Sequence, residues 1–204
     1  MTKYLTVHPL NPQARLLERA IEIIKSGGVI AVPTDCCYVI CCQIGDKHAE
    51  SKIADIRQHK DDHRLALVMA NLSTASNYAQ IDNMAFRTMK MATPGAYTFI
   101  LPAKKDLPKR LHQKRNTIGI RIPDNKILLD LLELYNLPLY SSTLWLPQDD
   151  FPLFDPEEIS DKLKNTLDLV IDGGVGTSDM TTIVSLLDNN LEILREGKGD
   201  ISIF

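Results

Sequence analysis

Short apolar runs of strand type alternate, along this chain of 204 residues, with segments in which apolar residues recur every three or four positions. The strand-type runs lie at residues 29–33, 38–44, 65–70, 96–101, 117–122, 139–143, 168–171, 181–186 and 191–195. The final runs follow one another with no helical segment between them, so the chain is not a regular array of strand–helix–strand units. We therefore predict an α/β fold in which a twisted mixed β-sheet is flanked by helices, in a single domain spanning residues 1–204.

Residues with strong capping preferences mark the starts of the predicted helices. Asn11, followed by Pro12, is predicted to cap the first helix, because proline is favoured in the first helical turn. Asp46 and Asp82 are predicted to cap two later helices. Asp155 precedes a proline and two glutamates, which favours a helix start because acidic side chains are stabilised at the positive end of the helix dipole.

The charge balance argues against a protein that coats nucleic acid with a uniformly basic surface. Lysine and arginine total 23 against 26 aspartates and glutamates, for a net charge of -3. A local basic patch remains compatible with this balance. No apolar run approaches the roughly 18 residues of a membrane span, and the first residues lack the pattern of a secretion signal. We therefore expect a cytoplasmic protein that does not contact membranes.

The four cysteines occur as two adjacent pairs, Cys36–Cys37 and Cys41–Cys42. In an extended segment, Cys36 and Cys42 lie roughly 20 Å apart, too far for one zinc ion to bind both. We predict that these cysteines serve as small apolar strand residues. A redox sensor is a weaker alternative, since it requires exposed thiols of low pKa.

His59 and His63 have the spacing with which one helix face could hold a metal ion, but no third ligand is evident. The charged segment around them is predicted to be a solvated turn, with no metal site. The glycine-rich stretches 172–176 and 196–199 match neither a dinucleotide fingerprint nor a Walker loop, so both are predicted to be turns.

A run of basic residues between positions 104 and 115 stands out in this acidic chain. It contains Lys104, Lys105, Lys109, Arg110, Lys114 and Arg115 and one acid, Asp106. These cations could bind RNA phosphates or polyphosphate, or they could form a solvated loop. Arg121 differs from them, because it lies in an apolar strand and needs an anionic partner if it points inward.

Eight segments, in order, resemble the YrdC/YciO family of threonylcarbamoyl-AMP synthase-like proteins, and in detail its YciO branch. They are residues 27–35 with Tyr38, 53–57, 94–101, 117–123, 138–143, 172–174, 181–184 and 193–197. The similarity runs from about residue 11 to residue 200. It implies a twisted mixed sheet with a basic concave face.

The resemblance also implies an activity. Synthases of this family condense L-threonine, bicarbonate and ATP into L-threonylcarbamoyladenylate with release of pyrophosphate, in the pathway to N6-threonylcarbamoyladenosine in tRNA. It implies ATP, accompanied by Mg²⁺, as a substrate, and no tightly bound cofactor. It further implies double-stranded RNA or tRNA as a partner.

Residue by residue, the resemblance assigns the two sides of a substrate site. The positions on the L-threonine side are Thr34, Arg121, Ser141 and Thr181. The positions on the ATP side are Arg57, Thr117, Thr143 and Arg195. Among these, Arg57 and Arg121 are expected to position the reactants, and no covalent nucleophile is required.

The chain departs from the family pattern at two places. His59 stands where the synthases carry a second cation, and Thr143-Leu144-Trp145 stands where they carry Ser-Ala-Asn. Cys36 and Cys37 also replace residues that are usual there. These departures support an alternative, a YciO-type protein that binds double-stranded RNA or nucleotides with weak or lost synthase activity.

Overall fold

The computed structural model describes residues 2–58, 65–105 and 116–204. Within these ranges ten strands form one sheet in the order β1-β8-β2-β3-β7-β4-β6-β5-β9-β10. The strands are β1 Lys3–Thr6, β2 Ile30–Val32, β3 Val39–Gln43, β4 Ala66–Val68, β5 Tyr97–Pro102, β6 Thr117–Arg121, β7 Leu139–Thr143, β8 Leu169–Asp172, β9 Thr182–Leu187 and β10 Asn190–Arg195. The helices are α1 Ala14–Lys25, α2 Lys47–Arg57, α3 Leu72–Ala75, α4 Asn83–Ala92, α5 Lys126–Tyr135 and α6 Pro156–Lys162, and a 3-10 turn follows at Ile201–Ile203.

The sheet is mixed, which confirms the predicted fold class. Strand β8 runs parallel to both β1 and β2, whereas β3 and β7 are antiparallel to each other. The nine predicted strands all occur, with bounds that agree to within a few residues. The sequence pattern did not reveal β1, an exposed edge strand of four residues, or the short helix α3.

The predicted cap of the first helix is wrong. Helix α1 begins after Gln13, and no side chain caps it. The residues before it form a turn in which the Nδ1 atom of His8 accepts the backbone N–H groups of Leu10 and Asn11. Asn11 therefore belongs to this turn and not to the helix. The caps predicted at Asp46, Asp82 and Asp155 are confirmed, since each carboxylate accepts backbone N–H groups of the first helical turn.

Two apolar cores lie on opposite faces of the sheet, as the alternation of strand side chains requires. On one face, α1 and α5 pack against residues such as Val32, Val39 and Leu169. On the other face, α2, α4 and α6 pack against residues such as Ala31 and Phe99. The first pair of helices covers the sheet only from β1 to about β4. The rest of that face, towards β10, contributes to an open cleft.

Candidate active site

A cleft of about 410 Å³ lies on the part of the sheet face that α1 and α5 leave uncovered. Its lining residues are Val39, Ile53, Arg57, Leu65, Ala66, Thr98, Ile100, Arg121, Ser141, Ser142, Thr143, Trp145, Met180, Thr181, Ile183, Leu194 and Arg195. Strands β7 and β10 both contribute, although a flat sheet would separate them by about 24 Å at the usual strand spacing. This face of the sheet is therefore concave, and three arginines line it.

Arg121 is held at one end of the cleft by an ion pair inside the protein. Its side chain is 6% exposed, and its Nη2 atom lies 2.5 Å from the Oδ1 atom of Asp35. The same nitrogen donates to the hydroxyl of Thr34 at 2.9 Å. The Nε atom of Arg121 is buried and has no partner among the described residues. Arg121 thus points inward with an anionic partner, as its place in an apolar strand predicts, and keeps donor capacity beyond that pair.

The hydroxyl of Thr34 is fully engaged with the protein. It donates to the carbonyl of Cys37 and accepts from the backbone N–H of Cys36 as well as from Arg121. A hydroxyl has one donor hydrogen and two lone pairs, so no capacity remains for a ligand. Thr34 is also not among the residues that line the cleft. Its hydroxyl therefore holds Arg121, and the contact of Thr34 with threonine stays a prediction.

Arg57, the last residue of α2, spans to the end of β7. Its Nη1 atom donates to the hydroxyl of Ser142 at 2.7 Å and to the carbonyl of Thr143 at 2.6 Å. Its Nε atom is buried without a partner among the described residues. Burial lowers the pKa of the Arg57 guanidinium, but an arginine starts so high that it stays charged at neutral pH. The result is a fixed, partly desolvated cation in the cleft wall.

Arg195 reaches the cleft because β10 contains a bulge. Ile193 pairs with Val184 and Arg195 pairs with Ile183, so two residues of β10 advance for one residue of β9. In a regular strand without the bulge, Arg195 would share the face of Ile193, which packs against the opposite core. The guanidinium donates to the carbonyl of Thr181, at 2.8 Å from Nη2.

Hydroxyl groups line the cleft between the arginines. Ser141 donates to the carbonyl of Ala66 at 2.9 Å, which leaves its lone pairs on the cleft side of the strand. The hydroxyls of Thr98 and Thr181 lie 2.9 Å apart. Thr143 is half-buried at the end of β7. Together they form a polar surface of small donors and acceptors beside the three cations.

The structure brings most of the predicted site residues into this one cleft. Those that line it are Arg57, Arg121, Ser141, Thr143, Thr181 and Arg195. Thr117 does not line it, and lies on the same face of β6 as Arg121 at the start of that strand. Lys104 and Lys105 follow β5 outside the cleft. The other predicted RNA contacts, Lys109, Arg110, Lys114 and Arg115, lie outside the described residues, as does His59.

Sequence reasoning missed four residues that shape the cleft: Asp35, Thr98, Ser142 and Trp145. Asp35 follows the predicted site residue Thr34 directly, so its position in the sequence was an available signal. Ser142 adjoins Ser141, but strand alternation assigns the two to opposite faces. The end of β7 lets both reach the cleft.

The cysteines are buried, as predicted for small apolar residues. Burial raises the pKa of Cys36, and likewise that of Cys42, to about 12. These thiols therefore stay protonated at neutral pH and lack the exposure that a redox sensor needs. Among the described residues, no three histidine, cysteine, aspartate or glutamate side chains group together as a metal site. The His59–His63 pair lies outside those residues.

The glycine-rich stretches, predicted to be turns, are irregular loops that follow β8 and β10, with a bend at 198–199. Tyr38 is fully buried, and its hydroxyl donates to the carbonyl of Gly174 and accepts from the N–H of Gly173. At Gly197, a Cβ atom would lie 2.4 Å from the carbonyl oxygen of Met180, so only glycine fits beside the segment that precedes β9. Within the described ranges, no helix combines the length and the apolar character needed to cross a membrane.

Comparisons with known proteins place the sequence and the fold among related chains. A family model described as "Telomere recombination" (Sua5_yciO_yrdC) matches residues 22–197. The Escherichia coli (strain K12) protein YciO, itself uncharacterized, is 46% identical over 100% of both chains. The crystal structure of E. coli YciO matches with a TM-score of 0.95 and covers 100% of both chains.

More distant matches carry a named activity or ligand. The Mus musculus threonylcarbamoyl-AMP synthase is 29% identical and covers 89% of this chain and 66% of its own length. The structure of P. abyssi Sua5 complexed with L-threonine matches with a TM-score of 0.87 at 22% identity. That match covers 96% of this chain and 58% of the Sua5 chain. At this level of identity the Sua5 match concerns the fold.

Proposed function

Because the chain belongs to the Sua5/YciO/YrdC family, we propose that it is an L-threonylcarbamoyladenylate synthase-like nucleotidyltransferase. Its substrates are ATP, L-threonine and bicarbonate, and its product serves the threonylcarbamoyl modification of tRNA. The observation that carries this proposal is the meeting of Arg57, Arg121 and Arg195 in one concave cleft. These three residues come from segments far apart in sequence, and a zwitterion and a triphosphate together require that concentration of positive charge.

The reaction needs positioning and charge neutralisation more than a covalent nucleophile. The threonine amine forms a bond to the carbon of bicarbonate and water leaves, which gives a carbamate. A carbamate oxygen then bonds to the α-phosphorus of ATP, while the bond to the bridging oxygen breaks and pyrophosphate leaves with the electron pair. Fixed guanidinium groups offset the charge that moves onto the phosphate oxygens. Displacement of water when the substrates fill the cleft also protects the carbamate.

The side chains divide between the two substrates. Arg121 binds the threonine carboxylate with the donors that Asp35 leaves over, and Ser141 lies on the same side. Arg57 and Arg195 bind the phosphates. The described lining contains no carboxylate, so Mg²⁺ enters as part of the ATP substrate, carried by the phosphate oxygens.

The direct test measures pyrophosphate release that requires both threonine and bicarbonate. Replacing Arg121 with glutamine should raise KM for threonine roughly 10- to 100-fold, because a charge-assisted contact is lost, with a smaller effect on KM for ATP. Arg57→Gln should show the reverse pattern. Arg87→Gln, an exposed arginine on α4, is the matched control and should leave both constants unchanged. Absence of pyrophosphate above a blank at high protein concentration would contradict the proposal.

A second candidate function is binding of double-stranded RNA or nucleotides with weak or lost synthase activity. It is favoured by the basic run 104–115 and by Leu144-Trp145, which stand where the synthases carry Ala-Asn. A protein of this kind would bind RNA without releasing pyrophosphate.

A further inference from the structure

Trp145 is the only tryptophan of the chain, and it lines the cleft two residues after the end of β7. It is half-buried, so part of the ring is open to the cleft. Its Nε1 atom donates to the carbonyl of Asp149 at 2.9 Å, and its backbone N–H donates to the carbonyl of Thr143 at 3.0 Å. Because both N–H groups of Trp145 are bonded within the protein, the side chain offers the cleft an apolar aromatic surface in a fixed orientation.

The backbone of Trp145 is held by the same carbonyl as the cation proposed to bind phosphate. The carbonyl of Thr143 accepts both the backbone N–H of Trp145 and the Nη1 atom of Arg57, the latter at 2.6 Å. An aromatic residue and a guanidinium that both line the cleft therefore meet at one carbonyl group. A nucleotide, in which a planar base and a phosphate chain are joined by a sugar, matches this pairing.

The described lining lacks the carboxamide and carboxylate side chains that read a base edge, and its arginines are the groups assigned to the substrate carboxylate and phosphates. No asparagine, glutamine, aspartate, glutamate or histidine occurs among the described residues that line the cleft. The apolar part of the lining includes Ile53 and Leu194, and Leu194 is 44% exposed. Such a surface holds a planar ring by stacking and burial, which discriminate little between bases.

We propose that Trp145 is the platform on which the nucleobase stacks, and that the site consequently takes ATP and GTP with similar affinity. This inference rests on the proposed nucleotidyltransferase function and specifies its substrate class as nucleoside triphosphates held by stacking, without selection between adenine and guanine. It also gives Leu144-Trp145 a role at the place where this chain departs from the synthase pattern.

The single tryptophan makes the first experiment specific. Titration of the wild-type protein with ATP or GTP should quench the emission of Trp145, with dissociation constants that agree within about threefold. Inorganic tripolyphosphate, which lacks a base, should bind without comparable quenching. Calorimetry measures the same three affinities independently of fluorescence.

Variants then separate stacking from phosphate binding. By calorimetry, Trp145→Leu should weaken ATP binding by roughly 5- to 100-fold, the range expected for one base stacked on an aromatic side chain. Trp145→Phe keeps an aromatic face and should stay within about threefold of the wild type. Tripolyphosphate should bind all three proteins equally. Phe151→Leu, an exposed aromatic residue of the same loop that does not line the cleft, is the matched control.

The outcomes distinguish this inference from the function on which it rests. ATP binding that leaves Trp145 emission unchanged and survives Trp145→Leu would overturn the stacking platform but not the nucleotidyltransferase. A large preference for ATP over GTP would overturn the lack of edge recognition. Failure of ATP, GTP and tripolyphosphate alike to bind the folded wild-type protein would overturn the proposed function, and the platform with it. Thermal unfolding of Trp145→Leu establishes that the variant is folded.

Discussion

A buried guanidinium is tolerated in the apolar strand β6 because one carboxylate and one hydroxyl meet it there. Arg121 and Asp35 are 86 positions apart in sequence, yet they form an ion pair with side-chain exposures of 6% and 11%. Taking both charges out of water costs free energy that their attraction must offset. The pair therefore contributes less to overall stability than to the orientation of Arg121, while loss of either partner leaves the other charge buried and unpaired.

Replacement of Asp35 by asparagine should lower the free energy of unfolding by about 3 kcal/mol, since it leaves the buried Arg121 without its counter-charge. Denaturant unfolding of the purified variant measures this change. Asp130→Asn removes the same charge from an exposed pair with Lys126, whose side chain is 54% exposed, and should cost below about 1 kcal/mol. Equal losses in the two variants would show that Arg121 does not depend on Asp35.

The residue types needed at the site could be predicted from the sequence, but some of their roles could not. Arg121 lies between isoleucines in an apolar strand, and this pattern predicted that it needs an anionic partner if its side chain points inward. The identity of that partner depends on a contact between β6 and the loop before β3, which no local pattern encodes. For the same reason Thr34 was assigned to the substrate, whereas its hydroxyl has all its capacity used by Cys36, Cys37 and Arg121.

At the scale of elements, two local features of the fold place two of the three cleft arginines. One is the bulge in β10, which turns Arg195 towards the cleft. Strict alternation along 191–195 places Leu194 and Arg195 on opposite faces, so the sequence pattern alone assigns them wrongly relative to each other. The other is the hydrogen bond from Arg57 to Ser142, which connects the end of α2 to the end of β7.

Loss of the hydrogen bond between Arg57 and Ser142 should raise the KM for ATP and leave the KM for threonine nearly unchanged. Ser142→Ala deletes the hydroxyl that accepts from Arg57 at 2.7 Å. Because a hydrogen bond to a charged group contributes roughly 1.5–3 kcal/mol, KM for ATP should rise about tenfold. KM for threonine should stay within about twofold, as measured by steady-state pyrophosphate release.

Ser185→Ala provides the matched control for that variant. Ser185 is a buried serine of β9, 5% exposed, that does not line the cleft. Its replacement should leave both KM values unchanged even if stability falls slightly. An equal rise of KM for ATP in both variants would mean that Ser142 acts through general stability and not through Arg57.

The whole molecule is a sheet that is covered unevenly, and this unevenness creates the site. The fold class and the family could be predicted because alternating apolar runs, and eight segments in the order of the family pattern, span nearly the whole chain. The structure and the comparisons confirm both predictions. The edge strand β1 escaped prediction because it is short and mostly exposed, so it lacks an apolar signature. The boundary between covered and open sheet also escaped prediction, since it depends on where α1 and α5 pack in three dimensions.

The concave surface and the basic run differ in the ligand that each would bind, and salt dependence separates them at the scale of the whole protein. If residues 104–115 bind a 20-base-pair RNA duplex, the logarithm of the association constant should fall linearly with the logarithm of salt concentration. The triple replacement of Lys109, Arg110 and Lys114 by glutamine should reduce that slope by about 2 to 3, because each phosphate contact contributes nearly one unit.

A charge-matched variant distinguishes a local surface from net charge. Arg15, Arg19 and Lys25 are exposed cations of α1, and their replacement by glutamine changes the net charge by the same amount. This variant should keep the wild-type slope if the run itself contacts the duplex. Filter binding or fluorescence anisotropy between 50 and 300 mM salt, on the order of physiological ionic strength, measures all three slopes. Equal slopes in the two variants, or no binding at the lowest salt, would remove the RNA function and leave the cleft as the functional surface.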